Sequence, residues 1–270
     1  MTQVRTLVIT GHGTNCEVES AHAARMAGSD VTDIVFFSDI VAGRTRIDDY
    51  NFLIFPGGFL DGDDLGAAQA AAVRWRHAKT QAGQSLLDQL KTFFESGGLI
   101  LGICNGFQLL VKLGLLPALD GSYFARQVSL SNNDSARFED RWVTLAANPQ
   151  SPCIFTKGIT RLELPVRHGE GKLVPMAPEV LDTLLASGAV ALQYADPATG
   201  APTMDYPANP NGSPSAIAGL TDPSGRILGL MPHPEAFNHP TNHPGYTRGE
   251  RPTLGTVLFQ NAVAHLRSAA

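Results

Sequence analysis

Short apolar runs alternate with amphipathic stretches through the first part of the chain. The apolar runs have the length of buried strands, and glycine or proline follows most of them. We predict strands at residues 6–10, 31–37 and 52–55 and a fourth that ends at Gly102, with helices at 17–26 and about 85–94. Strands that alternate with helices are typical of an open, mostly parallel sheet covered by helices on both faces. The pattern therefore predicts an α/β fold.

The pattern changes after about residue 140. Apolar stretches joined by turns predict five further strands, at residues 142–145, 162–166, 190–194, 216–220 and 227–231. The stretch 200–214 is rich in proline, asparagine and glycine and is predicted to be a loop, and a closing helix is predicted at about 254–266. No linker or repeat divides the chain, so we predict a single domain over residues 1–270.

Composition and charge narrow the class of protein. The 270 residues are 43% hydrophobic and 17% charged, with a net charge of −5, which is the composition of an ordinary soluble protein. No basic tract suggests nucleic acid, no apolar run suggests a membrane span, and a strand-like segment stands where a signal peptide would. Three widely spaced cysteines fit neither a disulfide framework nor a paired zinc motif. We therefore expect a cytoplasmic protein without a metal site.

The most informative motif is the segment Gly102-Ile103-Cys104-Asn105-Gly106, in which a predicted strand turns into a predicted helix. Gly-x-Cys-x-Gly is the thiol counterpart of the nucleophile elbow, since small flanking residues let the backbone bend sharply and present the nucleophile. The unpaired N–H groups and dipole at the helix N terminus favour a thiolate there. The alternative is a buried cysteine in a strand-to-helix turn, and the motif alone leaves both open.

A second motif supplies a base for such a thiol. Met231-Pro232-His233-Pro234-Glu235 follows the last predicted strand. Proline holds the residue before it in an extended conformation, and residues two apart in an extended segment share a side, so Glu235 can orient His233. Taken alone, this segment is equally consistent with a proline-rich surface loop. Because ligands of parallel sheets bind beyond the carboxyl ends of the strands, we expect these residues, Cys104 and the turns at 11–13 and 56–58 to meet at one edge.

Other polar residues are weaker candidates for the active site. The segment His168-Gly169-Glu170-Gly171 is either a loop near the substrate or a hairpin turn, and the residues alone do not separate the two. Cys16 opens the first helix but has no elbow, so it is the lesser thiol, and Cys153 is predicted to be structural. His12 ends the first strand at the expected site edge, whereas His243 is predicted to lie on the solvated surface.

Five motifs that occur together in this chain resemble one family. They are residues 102–108, 56–59, 168–171, 209–213 and 231–235. Their combination resembles the glutaminase subunits of phosphoribosylformylglycinamidine synthase, which are class I, triad-type glutamine amidotransferases of purine biosynthesis. The resemblance runs from residue 13 nearly to the C terminus. It implies a flavodoxin-like amidotransferase fold with a nucleophile elbow.

The resemblance also implies roles for individual residues. Cys104 would attack the side-chain amide carbon of glutamine, His233 would activate the thiol and protonate the leaving ammonia, and Glu235 would orient His233. In the same way, the oxyanion hole would use backbone N–H groups of the Gly57-Gly58 turn, with Gly58 as donor, and of Asn105.

Substrate contacts and partners follow from the resemblance as well. Gly57 and Gln108 would help to hold the glutamine. Ammonia would pass to a separate synthetase subunit, which makes formylglycinamidine ribonucleotide from formylglycinamide ribonucleotide, and a small third subunit would join the assembly. ATP and Mg²⁺ would bind the synthetase and this chain would hold no cofactor, in keeping with its lack of a glycine-rich phosphate motif.

The chain departs from the family pattern in segments expected at the edge of the site and at the partner interface. The family's tyrosine-glycine-aspartate segment is replaced by 60–66, residues 74–84 look inserted, Ala236 stands where a basic residue is usual, and residues 237–251 form a long tail. These departures concern the partner interface and leave the triad intact. The alternatives are another triad amidotransferase or a related α/β cysteine hydrolase, and a non-catalytic scaffold subunit. The intact Cys, His and Glu argue against the scaffold.

Overall fold

A nine-stranded sheet forms the centre of the molecule in the computed structural model, which describes residues 3–268. The strands stand in the order β2-β1-β3-β4-β11-β10-β9-β6-β7. Their bounds are Arg5–Thr10 (β1), Val31–Phe36 (β2), Phe52–Phe55 (β3), Leu99–Ile103 (β4), Glu139–Ala147 (β6), Arg161–His168 (β7), Val190–Ala195 (β9), Ile217–Thr221 (β10) and Ile227–Leu230 (β11). The first five strands in spatial order run parallel, and the other four extend the sheet by antiparallel pairing. This arrangement confirms the α/β fold.

The parallel half contains a reversal of chain direction that creates a binding crevice. From β1 the chain moves to β2 on one side and then returns past β1 to β3 and β4 on the other. Strands β3, β4 and β11 are fully buried and apolar, as expected for the interior of a parallel sheet. Ligands bind where the strand order reverses, beyond the carboxyl ends, and the candidate residues come from these ends.

Helices cover the sheet in two groups. Their bounds are Glu17–Met26 (α1), Phe37–Val41 (α2), Gln69–His77 (α3), Leu86–Glu95 (α4), Asn105–Leu113 (α5), Pro178–Ala186 (α6) and Val257–Ser268 (α7). Helix α1 packs against α7, whereas α3 packs against α4 and α5. Right-handed crossovers in opposite directions from β1 put the two groups on opposite faces of the sheet, as predicted. None of the helices in the described part of the chain is long and apolar enough to span a membrane.

A small second sheet stands beside α5. It pairs Val128–Asn132 (β5) with Glu170–Pro175 (β8) in antiparallel orientation. The chain passes from β7 in the large sheet to β8 in the small one through Gly169 alone. The segment 168–171 is therefore a crossing between two sheets and not a hairpin turn.

The loop at residues 200–214 holds this crossing in place. Asn211 donates hydrogen bonds to the Gly171 carbonyl (2.9 Å) and to the Tyr194 hydroxyl (3.0 Å), and the Ser213 hydroxyl accepts from the Leu173 amide (2.9 Å). Both loop side chains are fully buried. The sequence predicted the loop at 200–214. It did not predict that this loop fastens β8 to the core, because the hydrogen bonds that do so join residues about forty positions apart.

Candidate active site

Cys104 occupies a strained turn between β4 and α5. Its φ of 50° and ψ of −104° lie outside the regions that ordinary residues adopt. The flanking glycines are needed for packing, since a Cβ on Gly106 would stand 1.9 Å from the Phe55 carbonyl oxygen, and one on Gly102 would stand 2.9 Å from the Gly106 backbone. The turn therefore has the geometry of a nucleophile elbow, with glycine required on both sides.

The surroundings of Cys104 fix its backbone and leave the helix N terminus open. Its amide donates to the Leu230 carbonyl (2.8 Å), and its Sγ lies 3.6 Å from the Arg167 carbonyl oxygen. No side chain caps the start of α5. The side chain is only 6% exposed, so the positive end of the helix acts on Sγ with little screening by water.

His233 and Glu235 follow β11, the neighbour of β4 in the sheet. The His233 amide donates to the Pro165 carbonyl (2.8 Å), which anchors the segment to β7. His233 is extended, with φ −106° and ψ 90°, and its Nδ1 lies 2.6 Å from Glu235 Oε1. The predicted contact between the two side chains is confirmed, but the predicted extended segment is wrong beyond His233: residues Pro234–Ala236 form a 3₁₀ turn, and this turn brings the Glu235 carboxylate to the ring. The short contact fixes the ring with Nδ1–H toward Glu235 and Nε2 free to act as the base.

The electrostatic environment favours a protonated His233. Burial works against the charged ring, but the Glu235 carboxylate and Cys104 outweigh it, so the pKa of His233 is raised well above its ordinary value. His233 Nε2 has no hydrogen-bond partner among residues 3–268. An imidazolium with one N–H unengaged is poised to give a proton to a group that enters the site.

Gly57 is the point at which the reactive side chains converge. A Cβ on this glycine would lie 2.7 Å from His233 Cε1, 3.4 Å from Cys104 Cβ and 3.4 Å from Cys16 Sγ. Three side chains from three separate chain segments thus surround one small residue. The structure brings Cys104, His233 and Glu235 together, as predicted.

The candidate oxyanion donors are oriented by the turn after β3. The Gly57 carbonyl accepts from the amides of Asn15 and Cys16, both at 3.2 Å. Because C=O and N–H point in opposite directions across a trans peptide, the Gly58 N–H points away from these amides. The N–H groups of Gly58 and Asn105 have no acceptor within residues 3–268. Two backbone donors, one after Gly57 and one after Cys104 in the sequence, are thus unengaged.

The side chains of Asn105 and Gln108 form a buried chain of hydrogen bonds along the site wall. Asn105 Oδ1 accepts from the Leu60 amide (3.1 Å), and its Nδ2 donates to Gln108 Oε1 (3.0 Å). Gln108 Nε2 then donates to the Glu170 carbonyl (2.5 Å). Both polar ends of the Gln108 amide are engaged within the protein, so the side chain holds the 168–171 crossing against the elbow helix.

His168 is buried beside the triad but belongs to a different network. Its Nδ1 lies 3.1 Å from Asn133 Oδ1, which also accepts from the Gly171 amide, while Asn133 Nδ2 donates to the His168 carbonyl. Burial, with a smaller contribution from the charge on His233, lowers the pKa of His168 to about 3. A pKa this low makes His168 a weak base that stays neutral at ordinary pH.

Cys16 lies nearer to the site than its sequence context indicated. Its Sγ is 3.9 Å from His233 Nδ1, and burial raises the pKa of the thiol. No local pattern could have found this contact, since the two residues are separated by 217 positions.

Two other histidines and one cysteine lie outside the site. His12 stands near Phe36, with ring centroids 6.4 Å apart, and Cys153 is fully buried, as predicted for a structural residue. The prediction that His243 is solvated is wrong, since it is 5% exposed and its Nε2 lies 3.0 Å from Glu163 Oε2. Residues 237–251 are rich in histidine and proline, which indicated a solvated surface, but the Trp142 ring packs edge-on against His243.

Comparisons with known proteins agree with the geometry. Residues 3–266 match the family described as the CobB/CobQ-like glutamine amidotransferase domain. The chain is 43% identical over 271 residues to phosphoribosylformylglycinamidine synthase subunit PurQ of Dehalococcoides mccartyi, covering 99% of both proteins. It is 42% identical over 242 residues to the subunit of the same name from Methanococcus maripaludis, covering 90% of this chain and 86% of the relative.

Solved structures give the same picture of the fold. The structure of PurLQS from Thermotoga maritima matches with a TM-score of 0.71 and 28% identity, covering 98% of this chain and 100% of that one. A glutamine amidotransferase from Thermotoga maritima matches with a TM-score of 0.53 at 15% identity, over 98% of this chain and 99% of that one. The second likeness shows the fold alone.

Proposed function

The chain belongs to the PurQ family of glutamine amidotransferases, and from that premise we propose that it is the glutaminase subunit of a phosphoribosylformylglycinamidine synthase. In this role it hydrolyses glutamine to glutamate and supplies ammonia for purine biosynthesis. The observation that carries the proposal is the convergence of Cys104, His233 and Glu235 around Gly57 at the carboxyl ends of the parallel strands.

The first half of the reaction forms a thioester and releases ammonia. His233 Nε2 takes the proton of the Cys104 thiol, Sγ attacks the side-chain amide carbon of glutamine, and the carbonyl oxygen becomes an oxyanion. His233, whose raised pKa keeps a proton on the ring, gives that proton to the amide nitrogen, and the C–N bond breaks to release ammonia. Glu235 holds the ring in the required orientation throughout.

The oxyanion is stabilised by the backbone. We assign the two donors to the N–H groups of Gly58 and Asn105, which have no acceptor within residues 3–268. Each donor of this kind contributes about 10²–10³ in rate. In the second half, His233 takes a proton from water, the water attacks the thioester, and glutamate leaves as the thiol is regenerated.

The use of the ammonia depends on partners. The name of the PurLQS structure from Thermotoga maritima indicates an assembly of subunits. The match with this chain covers the whole of the matching chain in that structure. We therefore propose a synthetase subunit and a small third subunit as its partners, in the cytoplasm. The ATP and Mg²⁺ needed to make the amidine belong to the synthetase, and this chain contributes no cofactor.

The nucleophile is tested by replacing each thiol. Cys104→Ala abolishes glutamate release, whereas Cys16→Ala and Cys153→Ala keep most of it. A glutamine-analogue electrophile labels Cys104 and no other cysteine, as read by peptide mass spectrometry. Glutamate release that survives Cys104→Ala, with labelling at Cys16, would overturn the assignment.

Coupling to the partner is tested by reconstitution. Ammonia released without an acceptor is lost, so we expect weak glutaminase activity from the isolated chain and a large rise with the synthetase, ATP and formylglycinamide ribonucleotide. Glutamate release is measured for both. Equal turnover in the two cases would indicate a stand-alone cysteine hydrolase.

A further inference from the structure

Cys16, His233 and Glu235 bring three metal-ligating atoms to one place. One ligand atom from each residue lies within 4.8 Å of the other two. The Cys16 Sγ is 3.9 Å from His233 Nδ1, and Nδ1 is 2.6 Å from Glu235 Oε1. Cys16 comes from the start of α1 and the other two residues follow β11, so the cluster joins two remote parts of the chain.

The glutaminase mechanism accounts for only part of this cluster. It uses Glu235 through Oε1 and does not use Cys16. Glu235 Oε2 has no hydrogen-bond partner among residues 3–268, although the side chain is only 1% exposed. A buried carboxylate oxygen without a donor is costly, and a bound cation is one of the few groups that satisfies it.

The chemistry of the ligands selects the ion. A thiolate, an imidazole nitrogen and a carboxylate oxygen are the ligand types of four-coordinate zinc, with the fourth position open. A thiolate and a carboxylate together balance a divalent charge, which is required at a largely buried position. Cys16 is partly exposed, so the ion has a route from solvent.

We propose that Cys16, His233 and Glu235 form an inhibitory site for Zn²⁺. The ion replaces the proton on His233 Nδ1 and is bound by that nitrogen, by Cys16 Sγ and by the Glu235 carboxylate, whose Oε2 has no other partner within residues 3–268. Binding releases two protons to solvent, one from the Cys16 thiol and one from Nδ1, and no electron is transferred.

Occupancy removes the base from the triad. A Zn²⁺ ion on Nδ1 replaces the hydrogen bond to Glu235 and puts positive charge on the ring, so His233 Nε2 no longer takes a proton from Cys104. The loss of glutaminase activity rests on the proposed function, whereas the binding of the metal does not. The two are therefore measured separately.

Binding is measured in the absence of catalysis, with Co²⁺ as a spectroscopic substitute for Zn²⁺. The Cys104→Ala variant is titrated with Co²⁺ alone, and we expect a thiolate-to-cobalt charge-transfer band that added Zn²⁺ abolishes. The double variant Cys16→Ala/Cys104→Ala gives no band. A matched control, Cys104→Ala/Cys153→Ala, gives the band of the single variant because Cys153 is fully buried and lacks partner ligands.

Inhibition is measured as glutamate release over a series of Zn²⁺ concentrations, with each variant's own zinc-free rate as reference. We expect Cys16→Ser to raise the half-inhibitory Zn²⁺ concentration at least about tenfold. Even the loss of a residue that only supports a metal ligand lowers metal affinity by about 10–100-fold. His243→Gln, which removes a histidine from a separate His–Glu cluster, leaves the value unchanged.

Two results would overturn the proposal. One is a cobalt band that survives loss of Cys16 and disappears with loss of Cys104, since the ion would then use the nucleophile instead. The other is equal Zn²⁺ sensitivity of Cys16→Ser and the unmodified chain. A Cys16-dependent cobalt band in an unmodified chain that releases no glutamate, even with its synthetase partner, would refute the proposed function and leave the metal site standing.

Discussion

The Gly57→Ala substitution tests the geometry of the site most directly. The glycine does not have a left-handed φ, so alanine fits the backbone without strain, and the effect comes from side-chain contacts alone. The new Cβ stands 2.7 Å from His233 Cε1. It is already in contact at 3.4 Å with Cys104 Cβ and Cys16 Sγ on its other sides, so it has no room to retreat. The imidazole ring must move.

The expected loss of activity follows from the distance between the new Cβ and His233 Cε1. To reach an ordinary contact the ring moves by roughly 0.7–1 Å, and a displacement of about 1 Å in a catalytic group costs about 100-fold in rate. This corresponds to about 2.7 kcal/mol of transition-state stabilisation. Overpacking of this kind lowers the free energy of unfolding by only about 1–3 kcal/mol, so the variant stays folded.

The assay compares kcat/KM for glutamate release with the free energy of unfolding in urea. We expect Gly57→Ala to lose activity and to keep most of its stability. Gly58→Ala is expected to lose stability as well as activity, since φ is 141° and its Cβ would stand 2.6 Å from the Asn15 backbone nitrogen. Gly169→Ala, whose Cβ meets only Phe138 at 3.9 Å, serves as the neutral control. An unchanged kcat/KM in folded Gly57→Ala would refute the placement of His233.

Three further outcomes follow from the described contacts. In steady-state glutaminase assays His233→Ala lowers kcat by about 10⁶-fold and Glu235→Gln by about 10⁴-fold. His233 costs more because it transfers the proton, whereas Glu235 only orients the His233 ring. A larger loss for Glu235→Gln than for His233→Ala would contradict these roles. His168 binds a proton in the unfolded chain below its ordinary pKa of 6.5 but in the folded chain only near pH 3, so stability falls as the pH drops from 6.5 toward 3. Urea titrations should show that His168→Asn reduces this loss by about 1 kcal/mol per pH unit; an unchanged slope would mean that His168 does not titrate in this way. Gly106→Ala lowers the free energy of unfolding by more than about 3 kcal/mol, since its Cβ would stand 1.9 Å from the Phe55 carbonyl oxygen, and a stable variant would show that the elbow relaxes easily.

The parallel half of the fold was predictable because its strands are continuous apolar runs that end in glycine or proline. The bounds of β1 and β3 differ from the prediction by at most one residue. Helix α3 was missed because its alanine-rich sequence carries only a weak amphipathic signal, and α2 because it follows β2 without a break. Strands β5 and β8 of the small sheet are separated by some forty residues of sequence. No local pattern predicts a pairing over that separation.

The triad was predictable because its residues sit in short motifs whose local geometry determines their direction. The closeness of His233 and Glu235 in the sequence was enough to predict their contact, although a 3₁₀ turn at Pro234–Ala236 makes it and not the extended segment that the prolines indicated. The position of Cys16 and the burial of His168 depend on how separate segments pack, so the sequence left them open. Gln108 could be placed near the site, but its engagement on both sides by Asn105 and Glu170 required the structure.

The strand that carries the base is the last one in the chain, yet it lies in the middle of the sheet between β4 and β10. During synthesis on the ribosome, the elbow thiol emerges more than a hundred residues before His233. Until β11 is inserted, β4 presents an unpaired edge that can pair with other chains. The final folding step therefore closes this edge and delivers the base to the thiol in one event. A nascent or truncated chain cannot release ammonia before its sheet is complete.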